Sequence, residues 1–214
     1  MRLRMLGFAA ATALLVTAMV GTTSAMAENT ALCKEDSQNN LCPEAQRATH
    51  VHFETQKLEN GQLVPAKAKF LNSILLVECT ILYLGDVQNA GYLGSPLTIN
   101  GEFTFSRCNG ACTVYETEGS GGILKVLKEG GIGSELGKVT GEVTFGIKCG
   151  VTLECEYDFE NLVGHFLGTL TPTHNGHITY SDATLHKTGF GVFCPKTTKL
   201  DALLLSLEAL YIRS

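Results

Sequence analysis

Along most of the chain apolar and polar residues alternate with a period of two. Leu97, Ile99, Phe103 and Phe105 share one parity, with Thr98, Asn100, Glu102 and Thr104 on the other. Val139, Val143, Phe145, Ile147 and Cys149 repeat the arrangement against Thr140, Glu142, Thr144 and Lys148. Successive side chains of a strand point to opposite faces, so both segments read as strands with one buried face. Gly101 and Gly141 fall inside these patterns, where a bulge or sharp bend is expected. Ile74 to Leu84 is apolar on both parities around Cys79, which predicts a central strand covered on both sides. Weaker signals predict strands at Val51–Glu54, Thr113–Glu116, Ile123–Lys128, Val163–Leu170 and Ile178–Tyr180.

Turn residues punctuate these segments at Asn60-Gly61, Ala90-Gly91, Gly119-Ser120-Gly121-Gly122, Gly130-Gly131 and Asn175-Gly176. The C-terminal stretch is ambiguous by pattern. Leu200, Leu203, Leu204, Leu207, Leu210 and Tyr211 fit a helical stripe, whereas Leu203, Leu205, Leu207, Ala209 and Tyr211 fit a strand. Short strands with Gly-rich turns predict an all-β fold, an antiparallel β-sandwich or barrel. No shift of composition marks a linker, so residues 28–214 read as a single all-β domain. Residues 28–50 form its polar N-terminal loop segment.

Residues 1–27 have a different character. Arg2 and Arg4 precede the apolar run Leu6 to Val20, and Ala25-Met26-Ala27 offers the small residues of a signal-peptidase site. The segment reads as a secretory signal peptide cleaved before Glu28. The run is shorter than the roughly 20 apolar residues a membrane span needs, and no later segment supplies one. The whole chain of 214 residues carries a formal charge of −5; loss of the two leader arginines takes it to −7. Charged residues make up only 17% and show no basic stripe, which argues against nucleic acid as a partner.

All eight cysteines, Cys33, Cys42, Cys79, Cys108, Cys112, Cys149, Cys155 and Cys194, follow the leader. An even number in an exported chain favours disulfides over thiols or metal, and no C-x₂-C pair is present. Local spacing argues for three clips: Cys108–Cys112 around Asn109-Gly110, Cys149–Cys155 across a hairpin, and Cys33–Cys42 around a polar loop. Cys79 and Cys194 remain as a long-range pair.

Several short stretches together resemble a family of exported bacterial proteins with no assigned activity. They include Leu32-Cys33-Lys34, Leu41-Cys42-Pro43, Val77-Glu78-Cys79, Ser95-Pro96-Leu97-Thr98, Cys108-Asn109-Gly110-Ala111-Cys112-Thr113-Val114, Lys148-Cys149, Phe193-Cys194 and Leu210-Tyr211-Ile212. The resemblance implies a signal peptide followed by a cysteine-clipped all-β domain, and it reads Leu200–Ile212 as strand. This chain departs from the family pattern in lacking Trp and in having fewer Ser and Gly.

Candidate chemistry is sparse. Glu154, Glu156, Asp158 and Glu160 share one strand parity, a spacing open to an inverting glycosidase pair or to Ca²⁺. A solvated strand face explains the same pattern, because no aromatic sugar platform accompanies it. His50 and His52 project from one face, and His174, His177 and His186 lie in one region within reach of Asp182, but no zinc motif spacing joins them. Ser120 and Ser134 sit in glycine-rich turns without a nucleophile elbow. No catalytic, cofactor or metal residue is therefore assigned. The sequence predicts a secreted, non-enzymatic structural or binding module, extracellular or envelope-associated, whose partner, not identified by the sequence, is a cell-surface or extracellular protein or glycan. The alternatives are a barrel carrying a small apolar ligand and a carbohydrate-active hydrolase using Glu154–Glu160.

Overall fold

The computed structural model describes residues 30–37, 41–59, 62–88, 96–117, 121–130, 134–159, 163–170, 175–189 and 191–213. The predicted leader and the turns at 60–61, 90–91 and 119–120 lie outside them. In chain order the strands are β1 (Ala31–Cys33), β2 (His50–Glu59), β3 (Gln62–Pro65), β4 (Ala68–Leu71), β5 (Leu76–Gln88), β6 (Leu97–Ser106), β7 (Cys112–Glu116) and β8 (Gly122–Lys128). They continue with β9 (Leu136–Glu142), β10 (Thr144–Cys149), β11 (Leu153–Asp158), β12 (Val163–Leu167), β13 (His177–Lys187), β14 (Thr197–Ser206) and β15 (Tyr211–Arg213).

These strands form an eight-position antiparallel barrel. The ring β2–β5–β6–β8–β9–β12–β13–β14 closes on itself through continuous ladders, with β14 pairing back to β2. Four positions are each built from two strands laid end to end: β2 with β4, β7 with β8, β9 with β10, and β11 with β12. The second half of β2 leaves the wall to pair with β3, and β4 then fills the same slot between β14 and β5. Where β7 faces β6 the ladder is replaced by a side chain: the Phe103 N–H donates to Glu116 Oε2 at 2.6 Å.

The alternation fixes which face is inside. Leu97, Ile99, Phe103, Val139, Val143, Phe145 and Ile147 are buried, while Thr104, Glu102, Glu142 and Lys148 point outward, as their parities predict. An eight-position barrel is just wide enough to be filled by side chains. Here aromatic rings fill it: Phe70, Phe103, Phe105, Phe145, Phe159 and Tyr180 form a chain of contacts with centroids 5.0–6.4 Å apart, mostly edge to face. Apolar inside and polar outside is the reverse of the arrangement a membrane-spanning barrel requires.

Gly101 and Gly141 are not bulges, since the register runs through both without interruption. Their role is close approach. A Cβ at Gly101 would stand 2.7 Å from the Tyr83 ring, and one at Gly141 would stand 2.4 Å from Phe159. The irregularity falls instead in β13 between Tyr180 and Ala183, where Asp182 takes φ 51°. Two further expectations are corrected. β5 is not covered on both sides along its length: Thr80 is buried on the outward parity, but Leu76 and Leu84 on that parity stay half exposed. The C-terminal stretch is β14 and β15, but its inward residues are Leu200, Ala202 and Leu204, the opposite parity to the strand pattern expected.

Residues 30–50 are more than a polar loop. β1 pairs with β15 to make a small ribbon, held by backbone bonds from Ala48 to Leu32 and from Lys34 to Gln46. Leu32, Leu210 and Ile212 from this ribbon are buried in the barrel core, each contributing about 1.5–3 kcal/mol. The ribbon thus lids the end where β8, β12 and β14 finish. Arg213 locks it: the buried guanidinium binds the Glu135 carboxylate and lies 2.7 Å from Asp36. Burial opposes its charge, but the two carboxylates outweigh that and hold its pKa above the ordinary value.

Candidate functional site

The eight cysteines form four disulfides: Cys33–Cys42, Cys79–Cys108, Cys112–Cys149 and Cys155–Cys194. Only Cys33–Cys42, inside the lid, matches the expected pairing. The expected Cys108–Cys112, Cys149–Cys155 and Cys79–Cys194 bonds are replaced by bonds between neighbouring hairpins. The reason lies in the sheet register. Cys112 stands directly across from Cys149 on the β7–β10 ladder, at a Cα separation of 4.0 Å. Asn109 ties the β6–β7 turn to β5, its N–H donating to the Glu78 carbonyl and its side chain accepting from the Glu78 N–H, which delivers Cys108 to Cys79.

At the end opposite the lid the chain makes four turns: β4–β5, β6–β7, β10–β11 and β13–β14. The three disulfides there string these hairpins in sequence, first to second, second to third and third to fourth. The circuit back from fourth to first is closed by the β14–β4 ladder. Four such bonds place the folded chain in an oxidising environment.

This rim carries apolar side chains that the fold does not use. Val151 is 98% exposed, Val192 96%, Phe193 79% and Ile74 56%, each at a turn. Gly150 at φ 62° makes the turn that lifts Val151. The β13–β14 turn lies alongside β11, with the Thr188 N–H donating to the Glu156 carbonyl, so Val192 and Phe193 sit beside the β10–β11 turn. The sequence signal was present in Gly150-Val151 and Gly191-Val192-Phe193, apolar residues beside turn glycines, but alternation does not reach turn residues.

The acidic strand face is solvated and engaged. Glu154 accepts from the Tyr115 hydroxyl at 2.6 Å and from Lys148 at 3.4 Å, and these two partners hold its pKa below the ordinary value. A glycosidase general acid needs the opposite displacement. Tyr115 in turn is pushed up to about 12, chiefly by that hydrogen bond. Its ring lies over Gly146, where a Cβ would come within 2.1 Å of it. Glu156 packs against Gly189, and Glu160 lies outside the described residues.

The histidines are dispersed. His50 Nδ1 lies 2.6 Å from Asp86 Oδ1, with His52 further along the same outer face. Both line a groove of about 640 Å³ on the barrel wall, together with Asn100, Glu102, Lys34 and Glu208. His177 and His186 stand nine residues apart on β13, about 30 Å in an extended strand, and His186 is paired across from Asp158. Burial lowers the pKa of His177. Asp182 belongs to Lys199 rather than to a histidine, and His174 lies outside the described residues. Among the described residues no three His, Cys, Asp or Glu side chains gather as a metal site would require. Ser134 caps its turn by accepting from the Leu136 N–H, and Ser120 lies outside the described residues.

No family model matches the chain. No curated protein matches it, and no solved structure does.

Proposed function

We propose that this is an exported, non-catalytic binding module, a member of the bacterial family its cysteine-flanking segments resemble, and that it makes contact through the disulfide-strung rim. One observation carries the reading: three crosslinks converge on the end of the barrel that holds Val151, Val192 and Phe193, the most exposed large apolar side chains among the described residues. A core residue gains stability from burial, whereas an exposed Phe or Val gains none until something covers it. Crosslinking adjacent turns fixes their relative positions before contact, which lowers the ordering cost of binding. The filled interior supports an external contact surface over an apolar ligand carried inside. The lowered pKa of Glu154 supports a structural role for the acidic face over hydrolysis.

The test is binding of the fluorescently labelled, oxidised protein to the envelope fraction of the cells that produce it. Saturable binding is expected, and replacing Val151, Val192 and Phe193 by Asp should weaken it at least tenfold with the circular dichroism spectrum unchanged. Unaltered binding by that triple variant would overturn the reading.

A further inference from the structure

Charge is distributed unevenly along the barrel axis. Around the rim, residues 69–79, 107–112, 148–156, 187–189 and 191–196 carry Lys69, Arg107, Lys148, Lys187 and Lys196 against Glu78, Glu154 and Glu156, a local balance of +2. Around the lid, residues 30–37, 41–50, 85–88, 128–130, 134–136 and 206–213 carry Lys34, Arg47, Lys128 and Arg213 against Glu35, Asp36, Glu44, Asp86, Glu129, Glu135 and Glu208, a balance of −3. The molecule as a whole is acidic at −5, so a cationic pole is not a consequence of its composition. The cations flank the exposed tips: Arg107 and Lys196 are both exposed, and Lys196 follows Phe193 by three residues.

We propose that the rim docks on an anionic lipid bilayer, with Phe193, Val192, Val151 and Ile74 entering the headgroup boundary and the flanking cations meeting lipid phosphates. This inference rests on the rim being the contact surface and names its partner. The form of the apolar surface favours lipid over protein. The side chains stand on three different turns, β4–β5, β10–β11 and β13–β14, with exposed Ser73 beside Ile74 and exposed Thr152 beside Val151. A stable protein interface needs a continuous, closely packed face of about 800 Å² on each side. A fluid interface accepts separated side chains, each of which displaces water independently. Juxtamembrane cations add attraction that falls off within a Debye length, and the sign of the rim suits an anionic leaflet. The disulfides hold the tips together, so one insertion brings the others to the surface.

The chain contains no Trp, so Phe193→Trp introduces a single indole reporter at the tip. The oxidised, exported protein carrying this change is titrated with vesicles of phosphatidylcholine and phosphatidylglycerol, and with phosphatidylcholine alone. A blue-shifted, brighter emission is expected on the anionic vesicles, reversed by salt, and Glu44→Trp on the lid should show no change. Adding Val151→Asp and Val192→Asp should weaken binding about tenfold or more. Arg107→Ser or Lys196→Ser should weaken it about fivefold each. Unchanged emission at saturating anionic vesicles overturns the inference, as does an equal, salt-independent shift on phosphatidylcholine. If rim-dependent envelope binding persists but vesicle binding is absent and protease treatment of the envelope abolishes it, the partner is a protein and only the lipid assignment fails. If the rim variants bind the envelope like the parent, the functional reading fails as well.

Discussion

Removing one crosslink, by Cys112→Ala with Cys149→Ala, has a magnitude that follows from the order of the bonds along the chain. The loops closed by Cys33–Cys42, Cys79–Cys108, Cys112–Cys149 and Cys155–Cys194 span 9, 29, 37 and 39 residues, and none is nested in another. Each therefore restricts a separate part of the unfolded chain. In the loop-entropy description they stabilise by about 2.6, 3.6, 3.8 and 3.9 kcal/mol, and because the loops are disjoint the terms add to about 14 kcal/mol. That total is comparable to the entire stability of an ordinary domain, so full reduction is expected to unfold the barrel. The double variant at 112 and 149 should lose about 4 kcal/mol, a fall in Tm of roughly 8–15 °C for a chain of this size. These two cysteines are half buried, so truncation opens little cavity and the crosslink dominates the effect. Scanning calorimetry of the parent, this variant, the matching Cys79→Ala, Cys108→Ala variant and their combination measures both the size and the additivity. A loss below about 1 kcal/mol, or a combined loss differing from the sum by more than about 1 kcal/mol, would refute the reasoning.

Replacing Arg213 by Met leaves the Glu135 carboxylate buried with only the Ile212 N–H, and should cost about 3–5 kcal/mol by urea unfolding. Adding Glu135→Gln to that variant should recover part of the loss. Gly141→Ala drives a methyl into the Phe159 ring and should destabilise by about 1–3 kcal/mol in the same assay, with hydrogen exchange accelerated along β9. Tyr115 should titrate near pH 12 in an isotope-labelled Tyr NMR experiment, and Glu154→Gln should return it toward 10. Because its folded pKa is raised, its contribution to stability is complete below pH 10 and disappears as the pH climbs through about 12.

The barrel wall was legible where alternation was long. β6 and the β9–β10 position carry enough inward residues to set their faces unambiguously, and Gly101 and Gly141 stood out because they interrupted that pattern. β1, β4 and β15 were not legible from periodicity, because none develops over three or four residues; β4 forms in the slot between β14 and β5, whereas β1 and β15 pair with each other as a separate ribbon. β5 was misjudged because Leu76 and Leu84 are apolar yet outward, a choice packing tolerates and pattern reading does not anticipate. The disulfide partners were hidden for a related reason. Sequence proximity points to the two strands of one hairpin, whereas the bond to Cys112 is set by Cys149 across a ladder between hairpins. Tyr115 reaches the acidic face from β7, 39 residues before Glu154, so only the sheet order reveals that contact.

The ribbon of β1 and β15 also determines how the molecule responds to tension. Ala31 stands opposite Arg213 and Cys33 opposite Tyr211, so the two ends of the described chain emerge side by side at one pole. A pull between them acts across the rungs and opens them one at a time, as a zip does, instead of loading them together in shear. The ribbon is expected to give way first in a force-extension trace, with the crosslinked hairpins at the far pole still unstretched. A fluorophore or a tether fused at either end would likewise sit away from the pole bearing Phe193.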